Sequence, residues 1–299
     1  MTKVKVRVPA TTANMGPGFD TLGMALKLYN EIEVEEINGE TEIYNEGLKL
    51  EEDFKENLIY KSIVSAMNEQ GYSYNGFKIN VVKCDIPMSR GLGSSSSCIV
   101  GGITAANTIM GNKMDMEDII DLATKIEGHP DNVVPAALGG MVISIKVGED
   151  IKHSKVNVPD KLKFVAMIPS FKVSTALSRE VLPKFYLKED CIFNTSRSAM
   201  LISALYNNEF DKLRMCFEDK IHQPYRKSLI RNFDDVFKKS KDLGSVGEFI
   251  SGSGSTLMAV VDKNAEKFVS SMKNFLDELE DTWKVILLDP DLQGARVLS

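Results

Sequence analysis

The chain has 299 residues, 43% of them hydrophobic and 26% charged, which is typical of a globular protein with one large or two medium-sized domains. A formal net charge of −6 argues against a nucleic-acid-binding protein, since such proteins usually carry a basic surface. The four cysteines and three histidines lack zinc-site spacing, no apolar run reaches membrane-spanning length, and the N-terminal segment is unlike a signal peptide, so we expect a cytoplasmic protein.

The first predicted elements are two strands with a loop between them. Alternation of charged and apolar residues predicts strands over residues 3–8 and 32–37. The intervening loop, residues 9–23, is rich in glycine and small residues and contains Asn14 and Asp20. It can be a plain proline–glycine loop or a segment that presents these two side chains to a ligand, and the residues alone favour neither.

The most informative segment is residues 87–97, which follows a predicted helix over 57–68 and a predicted strand over 77–82. It reads Pro-Met-Ser-Arg-Gly-Leu-Gly-Ser-Ser-Ser-Ser and leads into a small-residue helix that we expect to end near Gly111. Glycines allow a ligand to approach the backbone, and the free N–H groups of a helix N-terminus attract phosphate. A serine cap on a glycine turn is the simpler alternative, but a cap needs only one serine. The surplus of hydroxyls favours an anion site, although the Lys-Ser/Thr pair of a P-loop is absent.

The next predicted helix begins after Asp115, runs to residue 126 and stops at Gly128. Asp121 lies opposite its apolar face, four residues before Lys125, and by itself this spacing is typical of a solvated ion pair. The segment 127–140 contains His129 and Asp131 beside prolines, which usually indicates turn chemistry. An alternating segment over Met141–Val147 predicts a strand.

A polar stretch at residues 148–160 is the predicted boundary to a second unit. That unit opens with a strand over 164–168, continues with helices between residues 191 and 243, and ends as strand, helix and strand. The last three elements are predicted at residues 257–261, 265–279 and 283–288. Such a β-α-β ending is consistent with a split βαβ sandwich.

The second unit also contains three candidate ligand-binding features. Arg179 and Arg226 each lie near a predicted loop, although surface arginines are common. Residues 251–256 read Ser-Gly-Ser-Gly-Ser-Thr and can either close over phosphates or form a plain tight turn.

Taken together, these segments resemble the GHMP kinase superfamily, named for its galactokinase, homoserine, mevalonate and phosphomevalonate members. Three motifs of that family appear in order: a strand and loop at residues 9–23, a Pro-x3-Gly-Leu-Gly-Ser-Ser loop at 87–97, and a glycine-rich loop at 251–255. The opening motif and the run Glu-Gly-His-Pro-Asp-Asn-Val-Val-Pro-Ala from residue 127 are similar to the branch that phosphorylates homoserine.

The resemblance implies a two-domain α+β fold. Residues 1–155 would form an S5-like, ATP-binding domain and residues 156–299 a ferredoxin-like domain. The implied activity is ATP-dependent phosphorylation of the L-homoserine side-chain hydroxyl, with Mg²⁺, to give O-phospho-L-homoserine on the route to threonine. The resemblance allows a homodimer. The acidic charge and the lack of an apolar run of membrane-spanning length predict no nucleic-acid or membrane partner.

The resemblance also assigns roles to residues. Homoserine is expected to contact Asn14, Asp20, His129, Thr175, Arg179 and Arg226. ATP is expected to contact Pro87, Met88, Ser89, Arg90, Gly91, Leu92, Gly93, Ser94, Ser95, Ser96 and Ser97, with Gly252, Ser253 and Gly254. The implied Mg²⁺ ligands are Ser95 and Asp121, the latter with a shorter reach than the glutamate that can serve there.

Asn132 is expected to orient the attacking hydroxyl, because it stands where some family members have an aspartate and an amide is a poor proton acceptor. If the local backbone is extended, Asp131 should point elsewhere, since successive side chains of an extended chain face opposite sides.

Two other functions stay open at this stage. A kinase for mevalonate or shikimate is disfavoured because an acid together with two arginines matches an amino acid, and mevalonate has no ammonium group. A non-catalytic nucleotide-binding protein is disfavoured because the candidate metal, phosphate and substrate residues occur together.

Overall fold

Twelve strands in two sheets organise the computed structural model, which describes residues 2–51 and 53–298. In chain order the strands are β1 (Lys3–Ala13), β2 (Leu22–Ile37), β3 (Glu42–Asn45), β4 (Leu48–Lys49), β5 (Gly76–Cys84), β6 (Met141–Val147), β7 (Asp150–Val156), β8 (Lys163–Pro169), β9 (Gly247–Ile250), β10 (Leu257–Val261), β11 (Trp283–Leu288) and β12 (Arg296–Leu298).

Ten α-helices lie among the described residues, with short 3₁₀ turns at Phe54–Glu56, Phe210–Lys212 and Lys227–Leu229. They are α1 (Leu58–Glu69), α2 (Ser94–Ile109), α3 (Met116–Glu127), α4 (Pro130–Leu138), α5 (Thr175–Glu180), α6 (Lys188–Asn207), α7 (Leu213–Cys216), α8 (Gln223–Arg226), α9 (Phe233–Asp242) and α10 (Ala265–Leu276). In this part of the chain, no helix is both long and apolar enough to span a bilayer.

The first sheet is built on the long hairpin of β1 and β2. Its order is β12-β1-β2-β5-β3-β4, while β6 pairs with the start of β2 and β7 pairs with β6. Alternate residues Val4, Val6 and Val8 of β1 are buried, because one face of the sheet is covered by α1, α2, α3 and α4. This packing places the N-terminus of α2 at the end of β1.

The second sheet confirms the predicted ending. Its order is β11-β8-β10-β9 and every pairing is antiparallel, so β10 and β11 run parallel to each other with β8 between them. Helix α10 connects β10 to β11 across that strand, which is the split βαβ arrangement of a ferredoxin-like fold. The predicted α+β fold class is confirmed.

A shared apolar core joins the two halves. The inward face of β8 contributes Phe164 and Ala166, and the first half contributes Met24, Leu26 and Leu92, all fully or almost fully buried. The opposite face of the second sheet packs on α9 and α10 in a separate cluster. The halves therefore meet along a continuous interface beside the three loops singled out in the sequence.

Several local predictions agree with the structure. Asp115 caps α3 through a capping box, Gly128 ends it in a left-handed conformation, and Met141–Val147 is β6. Asn57 caps α1, as the predicted start of that helix requires.

Three expectations about the chain's organisation need correction. Strand β2 begins at Leu22, ten residues before the predicted start. The polar stretch expected to be a boundary contains β7, which pairs with β6 in the first sheet. At the other end of the chain, β12 returns to pair with β1, so a segment assigned to the second domain completes the first sheet. The division at residue 155 stays a prediction.

Candidate active site

Three segments distant in sequence are fixed to one another by backbone hydrogen bonds. They are the end of β1, the glycine loop (residues 87–93) and the late loop (residues 251–256). The bonds run from the Thr11 N–H to the Leu92 carbonyl (3.1 Å), from the Gly252 N–H to the Ala13 carbonyl (3.1 Å) and from the Thr256 N–H to the Arg90 carbonyl (3.1 Å). The three motifs of the sequence therefore form one rigid junction.

Gly91 and Gly93 are required by this junction. Both have a left-handed backbone, with φ of +73° and +69°. A Cβ atom at Gly91 would lie 2.1 Å from the Ser251 carbonyl oxygen, and one at Gly93 would lie 1.9 Å from the Thr11 hydroxyl oxygen. The glycines thus permit close approach of protein segments, in addition to any approach by a ligand.

Helix α2 begins beside this junction with its first amide groups free of a side-chain cap. Its N-cap is Gly93, which has no side chain to accept their hydrogen bonds. Ser94 and Ser95 line the adjoining cavity. Ser97 instead faces inward, where its hydroxyl donates to the Ser94 carbonyl (2.8 Å) and accepts from Asn30 (3.1 Å). The four serines of the sequence therefore have different contacts, and the helix N-terminus has the free amide groups that favour an anion.

Glu127 lies against this helix N-terminus. Its two carboxylate oxygens accept hydrogen bonds from the hydroxyls of Ser95 (2.7 Å) and Ser96 (3.0 Å), and it lines the cavity. Asp121, the acid implied by the resemblance, does not line the cavity. Its carboxylate accepts from the Ile151 N–H of β7 at 2.8 Å, so the structure does not bring it to Ser95, and the acid that lies there is Glu127.

The cavity has a volume of about 550 Å³ and two chemically different ends. One end is walled largely by apolar and thiol side chains, namely Ile43, Tyr44, Leu50, Leu58, Val81, Cys84 and Cys98. The other end is polar and contains all six predicted homoserine-contacting residues, together with Asp131 and Asn132. The glycine loop and the start of α2 lie between them.

Charged groups of both signs meet at the polar end. Arg179 donates two hydrogen bonds to Asp20, at 2.8 and 3.1 Å. Arg226 is only 2% exposed and donates to the carbonyl oxygens of Ser178 (3.0 Å) and Gly252 (2.9 Å). Among the described residues Arg226 has no ion-pair partner, and burial lowers its pKa to about 10, with the nearby Arg179 cation acting in the same direction. Arg226 is thus a buried cation suited to bind an anion.

His129, Asp131 and Asn132 form a second polar group in the cavity wall. The His129 Nδ1 lies 2.6 Å from Asp131 Oδ1, and Asn132 donates to the same oxygen at 3.4 Å. Burial on its own lowers the pKa of His129, but its hydrogen bond to Asp131 and the charges of Asp131 and Glu127 outweigh this and raise it. Asp131 would point away on an extended backbone, but its backbone is helical in α4, and Asp131 lines the cavity.

Asn14 and Thr175 also line the polar end. The Asn14 amide donates to the Gly252 carbonyl (2.9 Å) and accepts from the Asp20 N–H (3.0 Å), so it shapes the loop as well as the cavity. Arg90 lines the cavity, but its guanidinium donates to the carbonyl oxygens of Pro169 and Ser170 at the end of β8.

The predicted ATP-contacting residues divide into two groups. Nine line the cavity: Met88, Ser89, Arg90, Gly91, Gly93, Ser94, Ser95, Gly252 and Ser253. Five do not: Pro87, Leu92, Ser96, Ser97 and Gly254. Of the second group, Leu92 is fully buried in the shared core.

Sequence reasoning missed Glu127 and the apolar end. Glu127 is the last residue of α3 and is followed by Gly128 and His129. This position, next to a predicted homoserine-contacting residue, was the sequence signal that could have identified it. The apolar end is assembled from β3, β5, α1 and α2, so no single stretch of sequence announces it.

The comparisons with known proteins agree with this geometry. Residues 57–140 match the family described as GHMP kinases N terminal domain, and residues 201–278 match GHMP kinases C terminal. A homoserine kinase of Clostridium kluyveri is 75% identical over all of both chains, and one of Clostridium novyi is 56% identical over 99% of each. The crystal structure of a homoserine kinase from Cytophaga hutchinsonii superposes with a TM-score of 0.90 at 29% identity, covering 100% of this chain and 98% of that one.

The junction generates a stability prediction. Gly93→Ala should lower the free energy of unfolding by at least about 3 kcal/mol, because a left-handed backbone and a steric clash with Thr11 act together. The matched control is Gly111→Ala, where φ is also left-handed at +82° but an added Cβ would have no non-neighbouring atom of the described residues within 4 Å. The free energy of unfolding should therefore fall by only about 1 kcal/mol. Urea unfolding measures both, and equal losses would contradict the close packing at Gly93.

Proposed function

The chain belongs to the GHMP kinases, and we propose that its cavity carries out the reaction of a homoserine kinase. That reaction transfers the γ-phosphoryl group of ATP to the side-chain hydroxyl of L-homoserine and yields O-phospho-L-homoserine and ADP, a step of threonine biosynthesis. The observation that carries this assignment is the buried Arg226, which has no ion-pair partner in residues 2–51 and 53–298, beside the Asp20–Arg179 pair and in the same cavity as the N-terminus of α2. The cytoplasmic location and the homodimer stay predictions.

The phosphates of ATP lie at the N-terminus of α2. Its free amide groups and positive dipole end favour a polyanion, and the Ser94 and Ser95 hydroxyls can donate to phosphate oxygens. The adenine base extends into the apolar end of the cavity, where Ile43, Leu58 and Val81 line the wall. Arg90 keeps its positive charge, but carbonyl oxygens engage its Nε, Nη1 and Nη2 donors, so it acts on the phosphates as a charge and not through free N–H groups. No lysine is among the described residues of the cavity wall.

Arg90 is the single basic side chain of the glycine loop, so most of the phosphate charge is left for a divalent cation to neutralise. The Ser95 hydroxyl and the Glu127 carboxylate are oxygen donors of the kind Mg²⁺ prefers, and they already lie 2.7 Å apart. They would hold the ion together with phosphate oxygens. When bound, Mg²⁺ supplies neutralisation of phosphate charge.

Homoserine, a zwitterion, matches the polar end of the cavity. Its ammonium group binds Asp20. The His129–Asp131 pair is adjacent, with a ring nitrogen of His129 and a carboxylate oxygen of Asp131 within 4.8 Å of the Asp20 carboxylate. Its carboxylate binds Arg226 and Arg179, since a guanidinium fork fits a carboxylate, and Thr175 adds a hydroxyl. The amino acid therefore lies across the interface between the two halves of the protein.

Asn132 orients the attacking hydroxyl. Its carbonyl oxygen accepts from the Thr11 hydroxyl at 2.7 Å, which fixes the amide plane at the base of the cavity. An amide cannot take up the hydroxyl proton, and Asp131 is engaged with His129. Because phosphoryl transfer has a loose transition state, the proton leaves late, to the transferred phosphate or to water.

Truncated acceptors test the proposed substrate. Because buried polar groups would be left without partners, kcat/KM should fall at least about 100-fold for 3-aminopropan-1-ol, which lacks the carboxylate, and for 4-hydroxybutyrate, which lacks the ammonium group. Coupled ADP release with homoserine, the two truncated acceptors and mevalonate measures this. A truncated acceptor or mevalonate turned over as well as homoserine would refute the zwitterion site.

A pair of substitutions in α3 tests the metal assignment. Glu127→Gln keeps a hydrogen-bond acceptor but removes the charge, so kcat should fall about 10²-fold or more and the Mg²⁺ concentration required should rise. Asp121→Asn keeps the acceptor for the Ile151 amide. It should leave kcat and the required Mg²⁺ concentration within about twofold of the wild type, since substitutions away from a site have small effects. Rates of ADP release measured against Mg²⁺ concentration decide the matter, and the reverse pattern would restore Asp121 as the ligand.

A further inference from the structure

His222 is a buried histidine that the reaction described above does not use. It immediately precedes α8, its side chain is fully buried, and it does not line the cavity. Four residues later, on the same turn of chain, lies Arg226. A buried imidazole beside a functional guanidinium calls for an account of its hydrogen bonds.

The two ring nitrogens of His222 have different partners. Nδ1 lies 3.3 Å from Arg226 Nη1, and Nε2 lies 2.8 Å from the Gly16 carbonyl oxygen. A guanidinium only donates, so Nδ1 must be the acceptor, and a carbonyl only accepts, so Nε2 must carry the proton. Both contacts are satisfied at once only by the neutral imidazole with its proton on Nε2.

The charged surroundings agree with a neutral ring. The pKa of His222 is lowered, chiefly by burial, and the Arg226 cation acts in the same direction. The negative charge of Asp219, and to a smaller extent that of Asp20, opposes this lowering. Asp219 lies 3.6 Å from Nε2. The Asp219 carboxylate accepts hydrogen bonds from the backbone N–H groups of residues 221, 222 and 223 and from the side-chain amide of Asn194. It therefore holds the backbone of His222 in place.

The ring also contacts the loop that bears Asp20. Phe19 stacks on His222 with 5.4 Å between ring centroids and 28° between their planes. The guanidinium groups of Arg226 and Arg179 lie over the same Phe19 ring, at 5.2 and 5.6 Å from its centroid. One imidazole therefore touches Arg226 directly and, through Gly16 and Phe19, the loop that presents the ammonium-binding carboxylate.

We propose that His222 is a positioning residue for homoserine, acting through Arg226. This inference rests on the proposed function, in which Arg226 binds the homoserine carboxylate. The Arg226 Nε is held by the Ser178 carbonyl, and its Nη1 is shared between the Gly252 carbonyl and His222 Nδ1. Within residues 2–51 and 53–298 the structure describes no acceptor for Nη2, which is the nitrogen left for the substrate. The guanidinium cannot rotate without breaking these contacts, so its free edge has one orientation.

Two substitutions separate the ring's two contacts. In His222→Asn the amide lies near the former Nδ1 and can still accept from Arg226, whereas in His222→Gln it reaches the position of Nε2 and serves Gly16 instead. We expect His222→Gln to raise the homoserine KM at least about tenfold, as loss of a hydrogen bond to a charged group implies. The ATP KM and kcat should change less than about threefold, and His222→Asn should stay closer to the wild type, because Arg226 keeps an acceptor.

The matched control is His153→Gln, since His153 pairs with Glu117 on the surface and should leave all constants unchanged. Thermal unfolding reports whether each variant is folded. If His222→Gln does not fold, the test uses His222→Asn instead. The proposal would be overturned if this variant raised the KM for ATP as much as the KM for homoserine.

A double-mutant cycle with Arg226→Lys tests whether His222 acts through Arg226. We expect the two substitutions together to raise the homoserine KM by clearly less than the product of their separate effects, since residues that work through one contact are not additive. The proposal would be overturned if the double variant raised the homoserine KM by the full product of the two separate increases. It would also be overturned if His222→Gln kept a homoserine KM closer to that of the wild type than His222→Asn does.

The carboxylate-free acceptor 3-aminopropan-1-ol separates failure of this inference from failure of the proposed function. Its kcat/KM should be the same in wild type and His222→Gln, because it makes no contact with Arg226. A wild type that does not prefer homoserine over this amino alcohol refutes the carboxylate site itself. A wild type that prefers homoserine by the same ratio as His222→Gln refutes only the role of His222.

Discussion

The close approach of the glycine loop to the late loop holds the two halves of the protein at the separation the cavity needs. The backbone at Gly91 lies so near the Ser251 carbonyl that a single added Cβ would be only 2.1 Å from its oxygen. This contact places the N-terminus of α2, which belongs to the first sheet, beside Gly252 and Arg226 of the second half. The groups that we propose to bind phosphate and substrate therefore share one cavity, because two backbones pack without side chains between them.

Local charge then decides what the cavity binds. The protein is acidic overall, so its field does not attract ATP or a carboxylate, and the cations that matter must be placed individually. Arg179 is already paired with Asp20, while Arg226 is buried and forms no ion pair with any residue that the structure describes. A buried, unpaired charge is costly, and a substrate carboxylate relieves that cost in the complex. The same reasoning applies to Glu127, a carboxylate beside the proposed phosphate site, whose charge there would become favourable with a divalent cation beside it.

Much of the fold follows from local signals in the sequence. Asp115 and Gly128 mark both ends of α3 because capping depends only on neighbouring residues, and β6 follows from alternation alone. Strand β7 could not be found in this way, since most of its side chains are exposed and its polar sequence resembles a linker.

The candidate site shows the same limit. Asp121 and Glu127 lie on one helix, about 120° apart around its axis, and only the packing of α3 against α2 determines which carboxylate faces the cavity. An extended backbone would turn Asp131 away from the cavity, yet Pro130 begins a helix there. Hydrogen bonds such as His222 to Gly16 join residues about two hundred positions apart and leave no trace in local pattern.

A crystal structure of the protein with L-homoserine, Mg²⁺ and a non-hydrolysable ATP analogue tests the central claim most directly. The account predicts the homoserine carboxylate on the guanidinium groups of Arg226 and Arg179, its ammonium group on Asp20, and its hydroxyl directed past Asn132 towards the phosphates at the N-terminus of α2. Homoserine bound with its carboxylate away from Arg226, or phosphates bound away from the glycine loop, would contradict it.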